Sequence, residues 1–228
     1  MNYFLIIFSV LGAAHIIFII TKKMTLRHIS KILIIPVLLA AYITKAGTWL
    51  FFPILALAFG WVGDVLLLKI NKKLNFILGL ASFLIGHLCY IFAFLRLLNL
   101  LGLNGIEGNV NITALLIFTP QAIILGIVVL HLVKPSAEMF IPVIFYMLVL
   151  LAMGLAGFQV FLLTPGMAGL LIVSGSFNFM ISDTLLAYYT FRKPKISGSV
   201  LIMTFYILAQ AEIIIGLLEL HGSLFSGI

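Results

Sequence analysis

Long, unbroken apolar runs alternate along this 228-residue chain with short stretches where glycine, asparagine and basic residues gather. A transmembrane helix needs about 20 apolar residues and a membrane-barrel strand about ten in alternation, so continuous runs predict helices. That yardstick places spans at residues 3-21, 30-44, 48-69, 75-98, 112-132, 139-162, 167-191 and 198-220, the second being the shortest. The connections are short except for "LGLNGIEGNVN", Leu101 to Asn111, whose glycines and asparagines give it turn character. The expected fold is all-α: a polytopic helical bundle of about eight transmembrane helices, one integral membrane domain over 1-228. No internal repeat stands out, which gives no support to inverted-repeat transporter architecture.

Composition removes the soluble alternatives. Hydrophobic residues are 64% of the chain, charged residues 8%, and mean hydropathy is +1.33, far above a soluble domain. The N-terminal "MNYFLIIFSVLGAAHIIFIITKK" has its positive charges after the apolar stretch, so it reads as a retained first span rather than a cleaved signal. Lys22, Lys23, Arg27, Lys31, Lys69, Lys72, Lys73, Lys134, Arg192, Lys193 and Lys195 follow spans one, three, five and seven; only Lys45 and Arg96 fall on the other side. Basic residues collect in cytoplasmic loops, so both termini are expected to be non-cytoplasmic, in the inner (plasma) membrane of a bacterium. The formal +7 is then a topology signal and a contact for anionic membrane lipids, with no nucleic-acid partner implied. Cys89, the one cysteine, excludes an internal disulfide and a Cys-rich metal site, and reads as packing. Gly60, Gly63, Gly79, Gly86 and Gly175 are expected to let helices pack closely.

Against this background each intramembrane ionisable group stands out, because a charge at the bilayer centre costs roughly 2.5 to 3.5 kcal/mol on insertion scales. The set is His15, Asp64, His87, Asp183 and Glu212. By helical rise Asp64 lies about 8 Å and Asp183 about 14 Å from their cytoplasmic ends, and His87 and Gln210 about 18 to 20 Å from theirs. Residues three, four and seven apart share a helix face. That rule groups Phe83, His87, Tyr90 and Phe94, then Tyr206, Gln210 and Ile213, and in span seven sets Ser176, Phe179, Asp183 and Ala187 beside a second face of Ser174, Asn178 and Ser182. Glu212 falls opposite Gln210 and is read as a structural partner for Lys45, a histidine or water. His15 and His87 also read as interhelical hydrogen-bonders, Tyr90 and Tyr206 as packing, and Lys31 as an interfacial anchor or a contact for phosphate. The two aspartates, with no intramembrane Lys or Arg expected on their side, lack such a structural role.

Two carboxylates in a low-dielectric site cannot both ionise cheaply, so one retains a proton and the pair supplies an acid and a base. Intramembrane proteolysis, proton-coupled transport and acid cleavage of an ether-type bond all use that arrangement. "GWVGD", Gly60 to Asp64, approaches the Gly-x-Gly-Asp signature of intramembrane aspartyl proteases, but Val62 stands where that signature has glycine and no Tyr-Asp precedes it. "KILIIP" (31–36), "GWVGDVLLL" (60–68), "FLIGHLCYIFAF" (83–94), "SDTLLAYYTF" (182–191) and "YILAQAEI" (206–213) occur in that order. Together they resemble the YhhN-like lysoplasmalogenase family over essentially the whole chain. The resemblance implies a membrane hydrolase that cleaves the vinyl ether bond of lysoplasmalogens to a fatty aldehyde and glycerophosphoethanolamine or glycerophosphocholine. Asp64 and Asp183 are then the expected acid-base residues, with neither metal nor cofactor. His87, Tyr90, Asn178, Ser182, Tyr206 and Gln210 would position water and polar lipid atoms, and Lys31 the phosphate.

Overall fold

The computed structural model describes residues 3–46, 51–68, 73–103, 112–192 and 198–225. Among them are eight α-helices and no strand: α1 (Tyr3–Ile20), α2 (Met24–Ala46), α3 (Phe51–Leu67), α4 (Lys73–Leu100), α5 (Ile112–Ile127), α6 (Ala137–Leu163), α7 (Met167–Arg192) and α8 (Ser199–Phe225). A π-helical segment, Val128–Val133, prolongs α5. Seven of the described helices are long and apolar enough to cross a membrane, and α3, at 17 residues, is shorter. The chain is an integral, multi-pass helical membrane protein. Lys69, Lys72, Lys193, Lys195 and the stretch 104–111 of the expected outer loop lie outside the described residues.

Local chemistry explains the helix ends. The Lys23 amide donates to Phe18 O (3.0 Å) and the Lys22 amide to Ile19 O (3.2 Å), with Lys22 left-handed at φ 57°. This is a Schellman turn, which satisfies the last carbonyls of α1. At the end of α4 the same motif places Gly102 at φ 71°, with Leu103 bonded to Leu98 O at 2.9 Å. Because α1 closes so tightly, α2 starts at Met24, six residues before the expected 30. A hydropathy count stops at Arg27 and Lys31, but backbone hydrogen bonding does not.

The helices fall into two compact units, Met1–Ala93 with His221–Ile228, and Phe94–Leu220. Their charges differ. By sequence the first unit has eight Lys and Arg against Asp64 alone, and the second has five against five acids, so the entire +7 belongs to the first.

In the first unit α1 packs on α2 and α2 on α3. The Trp61 indole N–H donates to Ile32 O (2.9 Å), and the Ser82 hydroxyl to Phe59 O (2.6 Å), joining α4 to α3. Gly63 lies under the Phe83 ring, Gly79 under Leu67, and Gly86 against Ala56 O, so three of the expected packing glycines do close α3 on α4. In the second unit α6 packs on α5 and α7. Phe118 stacks on Phe177 with ring centroids 5.6 Å apart.

Gly175 brings α7 against α8: a Cβ there would stand 2.9 Å from Ala209 O and 3.0 Å from Ile213 N. Both are backbone atoms, which cannot rotate away. Gly175→Ala is therefore expected to cost about 1 to 3 kcal/mol as overpacking, read as a lower thermal midpoint in detergent. Gly126→Ala is the control, since a Cβ there meets nothing within 4 Å; it should be neutral or slightly stabilising.

Candidate active-site carboxylates

Asp64 belongs to the first unit. It follows Gly63 on α3, and Lys31 Nζ of α2 lies 3.4 Å from its Oδ1, with side-chain exposures of 15% for Lys31 and 3% for Asp64. The expectation that Asp64 lacks an intramembrane cation is therefore corrected. Its cause is the early start of α2, which puts Lys31 two turns, about 10 Å, inside a helix rather than at its end. The flexible lysine stem crosses the apolar face and delivers the ammonium to the carboxylate. A buried pair of this kind is nearly neutral in net stability, yet removing one partner alone costs about 3 to 5 kcal/mol.

The other first-unit candidates are also interior. His87 and Tyr90 are buried on α4, and so is Phe83 one turn before His87, as the face rule predicts. His15 is completely buried, with Nδ1 at 2.7 Å from Ser30 Oγ. Ser30 Oγ also lies 3.1 Å from Arg27 O, one turn back on α2. His15 is thus an interhelical hydrogen-bonder, one of the two readings its sequence position allowed.

Asp183 belongs to the second unit, and its Oδ2 accepts a 2.5 Å hydrogen bond from the Tyr146 hydroxyl of α6. Tyr146 is a partner of this candidate carboxylate that the sequence pattern does not single out. It lies within "FIPVIFYMLVLL", where its apolar neighbours hide it. The usable signal was physical: a phenol at mid-span needs a partner, and few acceptors exist.

Helix α7 has a second polar face. Glu212 Oε2 of α8 accepts from Ser174 Oγ (3.0 Å) and Asn178 Nδ2 (2.8 Å), so its partners among the described residues are these two rather than Lys45 or a histidine. Ser174 and Asn178 are four residues apart and so meet the same helix. The Ser182 hydroxyl donates to Ile202 O (3.1 Å). Asn178 and Ser182, expected at the substrate, are thus engaged in bonds to α8 or the start of its first turns. Gln210 Nε2 donates weakly to the Tyr206 hydroxyl (3.4 Å), and the Tyr206 ring meets Phe179 edge-on at 5.7 Å, so this buried group does come together. Among the described residues no three His, Cys, Asp or Glu gather as a metal would require.

The sequence profile of the YhhN family matches residues 26–217. The chain belongs to the YhhN family. It is also 32% identical over 164 residues to the human protein named lysoplasmalogenase TMEM86B, an alignment covering 72% of this chain. The chain spans 62% of the length of that relative. No solved structure matches it. The YhhN match takes in Lys31, Asp64, His87, Tyr146, Asp183 and Glu212, and leaves out His15.

Proposed function

We propose that this YhhN protein is a membrane hydrolase that cleaves the vinyl ether bond of lysoplasmalogens. The observation that carries the reading is the identity, 32% over 164 residues, to a human lysoplasmalogenase. The buried carboxylates support it, because the reaction needs a proton donor and a proton acceptor and little else. A proton is added to the second carbon of the alkenyl chain, the alkene π pair forms the new C–H bond, and C1 becomes an oxocarbenium ion. Water adds to C1 and gives up a proton, forming a hemiacetal. The hemiacetal hydroxyl then gives up its proton as its oxygen forms the carbonyl with C1, and the C1–O bond to glycerol breaks with its electron pair going to the glycerol oxygen. That oxygen takes a proton, and a fatty aldehyde and the glycerophospho-alcohol leave.

In this proposal Asp64 and Asp183 supply the acid and base functions, and Lys31 meets the phosphate. His87, Tyr90, Tyr206 and Gln210 bind polar lipid atoms or water; Asn178 and Ser182 do so only through what their bonds to Glu212 and Ile202 O leave available. The charge pattern supports a placement of both termini on the non-cytoplasmic face, and the membrane in this proposal is the plasma membrane of a bacterium.

The test is mass spectrometry of purified protein incubated separately with 1-alkenyl, 1-alkyl and 1-acyl lysophospholipids. Aldehyde should appear from the alkenyl substrate alone. Proton flux into proteoliposomes with no product from any of the three would instead assign a proton-coupled transporter.

A further inference from the structure

Pro36 lies inside α2, and proline brings no backbone N–H. In the helical ladder that missing donor belongs to the carbonyl four residues earlier, so Ile32 O is left without its regular partner. An unsatisfied carbonyl in hydrocarbon costs several kcal/mol, and α3 supplies the bond. The Trp61 indole N–H donates to Ile32 O at 2.9 Å. Trp61 stands six residues before Leu67, about 9 Å inside the end of α3, where a ring N–H also needs an acceptor. It keeps 38% of its surface exposed, so the bond rather than enclosure holds the ring.

This contact lies beside the proposed acid-base residue of the first unit. Ile32 directly follows Lys31 on α2, and Trp61 precedes Asp64 by three residues, one turn, on α3. The same turns of the two helices are therefore joined twice, by Trp61 to Ile32 O at 2.9 Å and by Lys31 Nζ to Asp64 Oδ1 at 3.4 Å. The two bridges differ in stiffness. A lysine ammonium rides on a flexible four-carbon stem and reaches its partner from many helix settings. An indole has two side-chain torsions and one N–H direction, and its acceptor here is backbone, which moves only with α2. The short, rigid bridge fixes where α2 stands along α3, and the long, flexible one follows.

We infer that Trp61 is a positioning residue: by filling the acceptor that Pro36 leaves open, its indole N–H sets the register of α2 on α3 and with it the approach of Lys31 to Asp64. "KILIIP" and "GWVGD" then work as one unit, the proline of the first opening the acceptor that the tryptophan of the second fills. The effect of Trp61 on rate rests on the proposed hydrolase reading, in which Asp64 supplies an acid or base function. Its effect on the ion pair does not.

The experiment replaces Trp61, in the full-length protein in detergent, by the tryptophan analogue that carries sulfur in place of the ring N–H. The ring keeps its shape and loses only the donor. The first readout is the coupling of Lys31 to Asp64, taken from the thermal midpoints of Lys31→Met, Asp64→Leu and the double variant as the departure of the double from the sum of the singles. The analogue should remove most of that departure. The second is kinetics on a 1-alkenyl lysophospholipid, where kcat should fall about 10- to 100-fold, as for a reacting group displaced by the order of an ångström. Pro36→Ala separates positioning from mere support, because the new N–H at position 36 gives Ile32 O a donor within α2. Added to the analogue protein, it should restore the thermal midpoint but neither the coupling nor kcat. Restoration of all three leaves Trp61 a supporting role alone and overturns the inference, as does unchanged coupling in the analogue protein. If Pro36→Ala does not fold, the coupling in the analogue protein decides by itself. Lost coupling with kcat unchanged overturns the part assigned to Trp61 in the reaction. A parent protein that cleaves no vinyl ether overturns the hydrolase reading and leaves the coupling result standing.

Discussion

Asp64→Asn should lower aldehyde release from a 1-alkenyl lysophospholipid by about 100- to 10,000-fold, the usual contribution of one acid-base group. The same change strands the Lys31 ammonium, which lies 3.4 Å from the carboxylate, so a loss of stability will accompany the loss of activity. The two effects separate in the double variant Lys31→Met/Asp64→Leu. Replacing both partners of a buried ion pair with apolar residues is often neutral or stabilising, so the thermal midpoint should return while aldehyde release stays absent. If the double variant were as active as the parent protein, Asp64 would have no part in the chemistry. Solvent-isotope measurements on the parent protein add a constraint: slow protonation of carbon predicts a normal effect.

The second large effect is expected at Asp183. Asp183→Asn should lose activity by a similar factor, and Tyr146→Phe, which removes only the phenol bonded to Oδ2, should lose roughly 10- to 100-fold in kcat. That range corresponds to the roughly 1.5 to 3 kcal/mol of a hydrogen bond to a charged group. Kinetics on the folded variants, with kcat and KM resolved, provide the check. Glu212→Gln serves as the contrast, because an amide oxygen can still accept from Ser174 and Asn178. It should retain activity. Wild-type rates for Tyr146→Phe alongside a large loss in Glu212→Gln would reverse the roles assigned to Asp183 and Glu212.

The helices were readable because lipid imposes a length on them and rewards continuous apolarity. Seven of the eight expected spans begin within three residues of the described helices, and the exception is instructive. Hydropathy starts the second span at residue 30, past Arg27, which leaves Lys31 at the end of the span and hides the Lys31–Asp64 pair. A span counted by apolar content treats a basic residue as an end, whereas a lysine can lie inside a helix if its ammonium finds a carboxylate. The carboxylates themselves were legible, being conspicuous in so apolar a chain. Their partners were not. Tyr146 carries its polarity on one atom beyond a ring, and Glu212 was placed by its angle to Gln210 without knowledge of which α7 face it meets. Contacts between distant helices depend on azimuth, and one sequence holds no record of it.

The two polar faces of α7 have a consequence for how that helix keeps its rotational setting. Lipid tails are as apolar as leucine, so turning a membrane helix about its axis changes little in apolar contact. Here Asp183 is tied to Tyr146 on α6, while Ser174 and Asn178 are tied to Glu212 on α8. A slip of one residue, about 100°, would break both seams at once and turn a carboxylate and an amide toward hydrocarbon, where each unsatisfied group costs several kcal/mol. α7 therefore works like a key cut on two edges, and its polar residues lock the azimuth that Asp183 needs.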